Sequence, residues 1–485
     1  MLLVAAGDRS SFSLISVEEV QSCPFAPVSA CERWPAAQDG TVRLYTSDEL
    51  FGSHTYRRSF YVFIPANVSQ PAPLVMYLHG GYGSGLLSFK QYPFHGWAAG
   101  HQRIWKRNTL SCKMTWDPAR PLKKEFKTVS GSDCDPDNLT TEAPTNFVIV
   151  YPSGLQDRRV CSKTKLPCDA NSDCAGLTNR CSGRSPTDAS STASRCHWED
   201  GRSPSPSWGL GTWTDATQYR DDVGFVNHIL DTLLTAAGTM PAVNRIVVGG
   251  TSNGGMMTHR VGCHVGDPVY SALGNISALM INVAAMPYNV FDGRLGRQQC
   301  MPRRPLRVIY TVGKGLATPD CKEYGCEQPT VDGDGHIPFG TPGQVHNVNS
   351  PSLGAVVSNQ ESMQRWMQTN ARLTGRADPP TTTKKVGVFT TKMTMSLGAD
   401  LSYSDVVGYV TDGGSHILNA DRGDIDVFET MLKFALEINA IQKGEVVVSD
   451  DGTTTGQVDH ASACGASAIA TGAVGLVVLA VAAMF

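Results

Sequence analysis

Short apolar runs closed by Gly or Pro alternate along this chain with segments whose apolar residues recur at helical spacing. The apolar runs are typical of buried strands, and they are RRSFYVFIPA, PLVMYLHGG, NFVIVYPSG, RIVVGG, PLRVIYTVG and VVGYV. Helices are predicted for DDVGFVNHILDTLLTAAG, which two aspartates can cap, for the segment after RIVVGGTS, and for DIDVFETMLKFALEI. Strands that alternate with helices predict the α/β class, with a mostly parallel central sheet and helices on both of its faces.

Two polar segments interrupt this pattern and are too long to be ordinary connections. Residues 107–143 carry Cys112 and Cys134, and residues 157–207 carry five cysteines and a Ser/Pro-rich stretch. We expect both to be disulfide-rich insertions on the rim of the sheet. The remaining predicted divisions are an irregular N-terminal arm at 1–40, the α/β domain at 41–440, a polar linker at 441–462 and a hydrophobic tail at 463–485.

Composition places the chain among globular proteins with a sizeable core. It has 485 residues, of which 41% are hydrophobic and 18% are charged, enough for one large domain with insertions. The net charge is -3, and no basic run occurs, so we expect no nucleic-acid partner.

The cysteines indicate an oxidising compartment. There are 14, many in loop-like sequence, and no C-x-x-C pair is present, which favours disulfides over zinc. Glycosylation sequons at Asn67, Asn138 and Asn275 agree with passage through the secretory pathway. An extracellular or cell-surface location is therefore predicted.

The two ends of the chain differ in what they predict. The start, MLLVAAGDRSS, is a poor signal peptide, which suggests a truncated gene model. Residues 461–485 include one stretch, GAVGLVVLAVAAMF, that fits a lipid-anchor signal that is removed or a tail anchor that is retained. A buried C-terminal helix is the alternative.

The sharpest chemical motif is Gly250-Thr251-Ser252-Asn253-Gly254, which follows the predicted strand RIVVG and opens a predicted helix. Nucleophilic catalysis needs a serine oxygen held out at a sharp strand-to-helix turn, and glycines permit that turn. The motif alone is weak, but its position between a strand and a helix makes Ser252 a candidate nucleophile.

A second motif, His79-Gly80-Gly81-Tyr82-Gly83, follows the strand PLVMYL. Acyl transfer needs two backbone N–H donors for the developing oxyanion. Asn253 is the candidate for one, and Gly81 or Tyr82 for the other. A simple glycine-rich turn is the alternative interpretation of this segment.

His416, in the loop after VVGYV, is the candidate general base, because it is the only one of the twelve histidines in a late loop of this kind. The chain order of oxyanion loop, serine, acid and histidine is that of the α/β-hydrolase fold. The acid lies between PLRVIYTVG and His416, and its candidates are Asp320, Asp332 and Asp334.

The chain resembles the polyhydroxybutyrate depolymerase-like esterases, relatives of feruloyl and acetylxylan esterases. The carrying stretches are PLVMYLHGG, NFVIVYPSG, DDVGFVNHILDTL, RIVVGGTSNGGMM and DGGSH. The resemblance implies that Asp334, in Asp-Gly-His-Ile-Pro-Phe, is the acid, although Val312 stands where the family usually has a histidine. It also implies a disulfide between Cys263 and Cys300.

The resulting hypothesis is a secreted or cell-surface serine carboxylic-ester hydrolase acting on polyester or feruloyl/acetyl-type esters through Ser252, His416 and Asp334. Its expected partner is an ester substrate, polymeric or derived from cell walls, with membrane association through the tail. The reaction requires no metal and no organic cofactor. A peptidase or acyltransferase of the same fold, and a non-catalytic surface binding protein, are the alternatives.

Overall fold

The computed structural model describes the chain over most of its predicted core. The described ranges are 10–23, 34–51, 54–81, 83–101, 103–108, 111–116, 127–130, 144–156, 160–161, 181–182, 196–198, 221–236, 240–287, 300–314, 345–347, 355–386, 390–412 and 426–437. The chain divides into two units, Met1–Gln442 and Lys443–Phe485, and all described residues belong to the first.

One large sheet organises the described residues. Its strands are β1 (Ser11–Glu19), β2 (Gly40–Phe51), β3 (His54–Pro65), β4 (Ala72–Leu78), β8 (Val148–Pro152), β13 (Val243–Thr251), β14 (Ile276–Asn282), β15 (Arg307–Lys314), β18 (Thr382–Lys385), β19 (Thr390–Met395) and β20 (Val406–Asp412). They lie side by side in the order β1-β2-β3-β8-β4-β13-β14-β15-β20-β19-β18.

The middle of this sheet is parallel and its two margins are antiparallel. Strands β8, β4, β13, β14, β15 and β20 pair in parallel, whereas β1, β2 and β3 at one side and β19 and β18 at the other are antiparallel. The chain order reverses at β4, because the next strand of the parallel set, β8, lies on one side of it and β13 lies on the other. This is a topological switch point.

Helices cover both faces of the sheet. They are α1 (Gly85–Gln91), α2 (Phe94–Ala98), α3 (Asp222–Thr235), α4 (Asn253–Cys263), α5 (Asn359–Thr374) and α6 (Val427–Leu436). Two short 3₁₀ helices occupy Pro268–Asn275 and Ala399–Ser404. Alternate residues of β4 enter different cores: Leu74, Met76 and Leu78 pack with α3, α4 and α5, while Val75 and Tyr77 pack with α1, α2 and α6.

The predicted mostly parallel sheet with helices on both faces is confirmed. Each strand and helix named from the sequence is present in the structure. The disulfide between Cys263 and Cys300, which the family resemblance implies, is also confirmed.

The N-terminal arm differs from its expected irregular structure. Strand β1 (Ser11–Glu19) pairs antiparallel with β2 and forms the edge of the large sheet. Most of its side chains are exposed, those of Leu14, Ile15 and Val17 among them, while Phe12 lies near the Phe225 ring of α3 at 6.0 Å between centroids. The backbone pairing with β2 therefore joins the segment to the sheet.

The two insertions contain small antiparallel sheets of their own. In the first, β5 (Arg103–Asn108), β6 (Ser111–Trp116) and β7 (Lys127–Ser130) form three strands. The second contributes β10 (Val160–Cys161) with β11 (Cys181–Ser182), and β12 (Cys196–His197) with β9 (Leu155–Gln156). A further pair is β16 (Val345–Asn347) with β17 (Ala355–Val357). Of the cysteines expected to form disulfides in these insertions, Cys196 has a described side chain, which is buried. The others lie outside the described side chains.

Within the described part of the chain, no helix combines the length and the apolar character needed to cross a membrane.

Candidate active site

The candidate site lies where β4 and β13 end side by side. These strands pair in parallel with Leu78 opposite Gly250, so the segments that follow them begin at the same sheet edge. His79, Gly80 and Gly81 follow β4, and Ser252 follows β13. In open α/β sheets, ligands bind at the carboxyl ends of the strands beside the switch point, which is the position of this pair of turns.

Ser252 has the backbone conformation of a sharp strand-to-helix turn. Its φ is 54° and its ψ is -118°, an arrangement that a residue with a side chain rarely adopts. The surroundings impose it: the Ser252 N–H donates to Asn282 O at 2.9 Å, and the Ser252 carbonyl accepts from Met256 N–H at 2.9 Å. Strand β14 and helix α4 therefore hold the serine from both sides.

The two glycines of the motif are required by close backbone approaches. A methyl group on Gly250 would overlap the carbonyl group of Gly254, because the chain folds back on itself within one turn. A methyl group on Gly254 would overlap Leu78 O and lie 2.5 Å from His79 O. Both glycines therefore let α4 start directly against the end of β4.

The segment after β4 packs against the serine turn. A Cβ on Gly80 would lie 3.7 Å from the Ser252 Cβ, and one on Gly81 would lie 3.8 Å from the Asn253 Cβ. The Gly83 N–H closes the loop by donating to Gly80 O at 3.0 Å. The structure thus brings together Ser252, Asn253 and Gly81, three of the residues predicted for the site.

His79 supports the loop as a buried, neutral residue. Its Nε2 accepts from the Gly154 N–H at 2.9 Å, so Nδ1 carries the proton and donates to Gly80 O at 2.7 Å. Burial lowers the pKa of His79 to about 4, which keeps the imidazole uncharged at neutral pH. Because His79 follows β4 and Gly154 follows β8, their hydrogen bond joins the ends of these two strands.

The end of the second insertion is fixed to the residue after the serine. The Asn253 side chain accepts from Trp198 N–H at 2.7 Å through Oδ1 and donates to Trp198 O at 3.0 Å through Nδ2. The Trp198 indole N–H donates to His79 O at 3.0 Å. We call these contacts the Asn253–Trp198 clamp. It makes the insertion one wall of the candidate site.

His197 faces the loop after β4 from this wall. Its Nε2 would lie 3.0 Å from a Cβ on Gly81 and its Cδ2 would lie 3.2 Å away, so the ring edge points at Gly81. The residue is 5% exposed. The sequence does not predict a role for His197 or for the Asn253 side chain; the only local signal is a Cys-His-Trp run near the end of a polar insertion.

The other predicted site residues lie outside the described part of the chain. They are Tyr82, His416, Asp334 and the alternative acids Asp332 and Asp320. The strands that precede the predicted acid and base are described: β15 ends at Lys314 and β20 ends at Asp412. Because β15 and β20 pair in parallel with each other and continue the parallel set, both end at the sheet edge that carries Ser252.

The sheet arrangement and the serine turn fit an α/β-hydrolase fold. A mostly parallel sheet is covered by helices on both faces, and a strained serine joins strand β13 to helix α4 in a G-x-S-x-G motif.

Comparison with solved structures found remote similarities to hydrolases. An acetyl xylan esterase from Aspergillus awamori is 11% identical, with 86% of this chain and 98% of that chain covered and a TM-score of 0.35. A glucuronoyl esterase from Solibacter usitatus is 11% identical, with 88% and 85% covered and a TM-score of 0.35. An S-formylglutathione hydrolase from Agrobacterium tumefaciens is 11% identical, with 58% and 79% covered and a TM-score of 0.30.

No family model matches the chain. No curated protein matches it either.

Proposed function

We propose that this protein is a serine carboxylic-ester hydrolase with Ser252 as its nucleophile. The observation that carries the proposal is the conformation of Ser252, at φ 54° and ψ -118° between a buried parallel strand and a helix. This geometry presents a serine side chain at the carboxyl edge of the sheet and places the next backbone N–H at a helix N-terminus. Strain of this kind is typical of sites where a reactive group must be held in place.

In the proposed reaction, Ser252 Oγ attacks the ester carbonyl carbon while His416 accepts the hydroxyl proton. The carbonyl electron pair moves to oxygen, which accepts hydrogen bonds from the backbone N–H of Asn253 and of Gly81 or Tyr82. The pair then returns, the C–O bond to the alcohol breaks, and His416 protonates the leaving alcohol. Water, deprotonated by His416, attacks the acyl carbon. The bond from that carbon to Ser252 Oγ then breaks, His416 returns its proton to Oγ, and the acid is released.

The positions of the strand ends support His416 and Asp334 in these roles. Strand β20 ends four residues before His416, and β15 ends before the segment that carries Asp334. In the proposed site, Asp334 accepts a hydrogen bond from the His416 imidazole and so fixes its tautomer. The proposed substrates are polyester or feruloyl/acetyl-type esters, which the family resemblance suggests, and the proposed location is the cell surface or its exterior.

The proposal is tested by labelling the full-length chain with a fluorophosphonate probe beside Ser252→Ala, together with a short-chain aryl ester assay. Removal of the nucleophile is expected to abolish labelling and to lower kcat by more than about 10⁴-fold, because covalent catalysis is lost. Matching thermal unfolding curves would show that the variant is folded.

Ester turnover that survives Ser252→Ala in pure protein would contradict the proposal. Wild-type protein that labels but cleaves only peptide substrates would favour the peptidase alternative. Folded protein that neither labels nor turns over would favour a surface binding protein.

A further inference from the structure

We propose that His197 is a catalytic residue whose Nε2–H donates a third hydrogen bond to the oxyanion, beside the two backbone N–H groups. The inference rests on the proposed function, since it assigns a role within the same ester-hydrolysing site. It gives the second insertion a part in the chemistry, because His197 lies at the end of that insertion.

The geometry places the His197 imidazole at the loop that would bind the oxyanion. Its Nε2 lies 3.0 Å from the position of a Cβ on Gly81, and the Asn253 Cβ lies 3.8 Å from the same position. A Cβ is about 1.5 Å from its Cα and about 2.5 Å from its own N, so Nε2 is within about 5.5 Å of the Gly81 nitrogen. One oxygen about 2.9 Å from each of two donors can accept from both when they are less than about 6 Å apart.

The position also explains why residue 81 is glycine. Any side chain there would meet the edge of the His197 ring, since the nearest ring atoms lie 3.0 and 3.2 Å from the Cβ position. Glycine at this point therefore leaves room for an imidazole beside the loop.

The backbone of His197 is held in place by its neighbours in the fold. It pairs with Leu155 across the short sheet of β12 and β9, and Cys196 bridges to Gly83 of the loop. Its carbonyl oxygen packs 2.5 Å from the position of a Cβ on Gly154. The Asn253–Trp198 clamp fixes the next residue. These contacts fix the backbone that carries the imidazole, and the residue as a whole is 5% exposed. A donor whose position is set before the reaction stabilises developing charge more strongly than one that must reorganise.

The step involves no proton transfer at His197. When Ser252 Oγ bonds to the carbonyl carbon, the C=O electron pair moves to oxygen, and the Nε2–H shortens its hydrogen bond to that oxygen. When the pair returns and the alcohol leaves, the bond lengthens again. His197 keeps its proton throughout, and the proton of Ser252 passes to His416. The effect of His197 is therefore expected in kcat and not in KM.

The test compares His197→Phe, which keeps a flat ring without an N–H, with His197→Gln, which keeps an N–H donor. The matched control is His228→Phe, a partly buried histidine whose imidazole contacts Ser47 and Phe12. Aryl ester turnover is measured per serine that reacts with a fluorophosphonate titrant, so misfolded molecules are not counted. The second readout is inhibition by an aryl boronic acid, whose tetrahedral adduct mimics the intermediate.

For His197→Phe we expect kcat to fall by about 10²-fold or more with KM unchanged, the usual effect of losing one oxyanion donor. The boronate Ki is expected to rise in parallel. His197→Gln is expected to recover at least part of the loss, and His228→Phe to match wild type.

A His197→Phe variant with kcat within about threefold of wild type would overturn the inference, as would a change in KM alone. Loss of all labelling in His197→Phe, with labelling kept in His416→Ala, would make His197 the general base and overturn it too. If wild type and His228→Phe neither label nor turn over, the proposed function itself fails and the inference falls with it.

Discussion

At the scale of single residues, Gly254 has little freedom to change. It lies where helix α4 touches the end of β4, and its backbone is packed against the carbonyl groups of Leu78 and His79. A methyl group at this position can be accommodated only if α4 or the loop after β4 moves. Either movement would change the distance between Ser252 and the oxyanion loop.

We therefore predict that Gly254→Ala lowers the free energy of unfolding by about 2 kcal/mol, the usual cost of overpacking against backbone, and slows fluorophosphonate labelling of Ser252. Gly274→Ala is the matched control, because a Cβ there has nothing within 4 Å. Chemical denaturation and labelling rates measure both effects. Equal stability and equal labelling rates in the two variants would contradict the close approach at Gly254.

The residues of the serine turn could be predicted because their signal is local. Gly250, Ser252 and Gly254 stand within five positions, between a strand and a helix that the apolar pattern already indicates. The contact between Asn253 and Trp198 joins residues 55 positions apart, and nothing in either segment's composition indicates it. Such tertiary pairs depend on how the insertion folds over the sheet.

At the scale of elements, the N-terminus of helix α3 depends on two adjacent aspartates with different tasks. Asp221 caps the helix, since its side chain accepts from Gly224 N–H at 2.7 Å. Asp222 forms a buried ion pair with Arg58 of β3, whose Nε also lies 3.0 Å from Glu49 Oε2. The Arg58 guanidinium packs 4.2 Å from the centre of the Phe225 ring. These contacts join α3 to the sheet.

We predict that Asp222→Ala lowers the free energy of unfolding by about 3–5 kcal/mol, because it leaves Arg58 buried beside only one close carboxylate. The neighbouring pair of Arg57 and Asp48 is the control: its N–O distance is 2.6 Å, but the Arg57 side chain is 61% exposed. Arg57→Ala is expected to cost less than about 1 kcal/mol. Similar losses for both variants, measured by urea unfolding, would show that burial of the Arg58 pair has no special effect.

The elements that the sequence pattern predicted are those with a strong apolar character. Strand β14, ISALMIN, has the same character, but the apolar sequence continues into VAAMP and gives the strand no clear end. Helix α5 has buried Met363, Trp366 and Met367 at helical spacing, but its many polar residues hide that pattern. Strand β2 carries Arg43 and Asp48 at partly exposed positions near the edge of the sheet. Its third charged residue, Glu49, is buried beside Arg58, a tertiary contact that the strand's own sequence does not indicate.

At the scale of the whole molecule, buried neutral histidines make stability depend on pH. Burial lowers the pKa of His259 to about 3, and its Nδ1 accepts from the Trp366 indole N–H at 3.0 Å. His79 behaves alike, with a pKa lowered to about 4. Because the unfolded chain binds protons near pH 6.5 at these residues and the folded chain does not, stability falls as pH falls below about 6.5.

We predict that His259→Gln, which keeps an acceptor for Trp366, reduces the loss of stability between pH 7 and pH 4 by about 3 kcal/mol. The reason is that one proton fewer is taken up when the variant unfolds. Urea midpoints measured at several pH values give the stability of wild type and of His259→Gln as functions of pH. The two stability curves are expected to run parallel between about pH 7.5 and 9. Curves that stay parallel down to pH 4 would show that His259 is protonated equally in the folded and in the unfolded chain.

The Asn253–Trp198 clamp has a consequence for how this protein can evolve. Asn253 is next to the candidate nucleophile in sequence, yet both of its side-chain hydrogen bonds go to the backbone of the insertion. A descendant that lost the insertion would leave that amide without the two groups it now pairs with, and a small residue would then be favoured at position 253. We therefore expect homologues that carry the insertion to keep asparagine at position 253, and homologues without the insertion to have a smaller residue there.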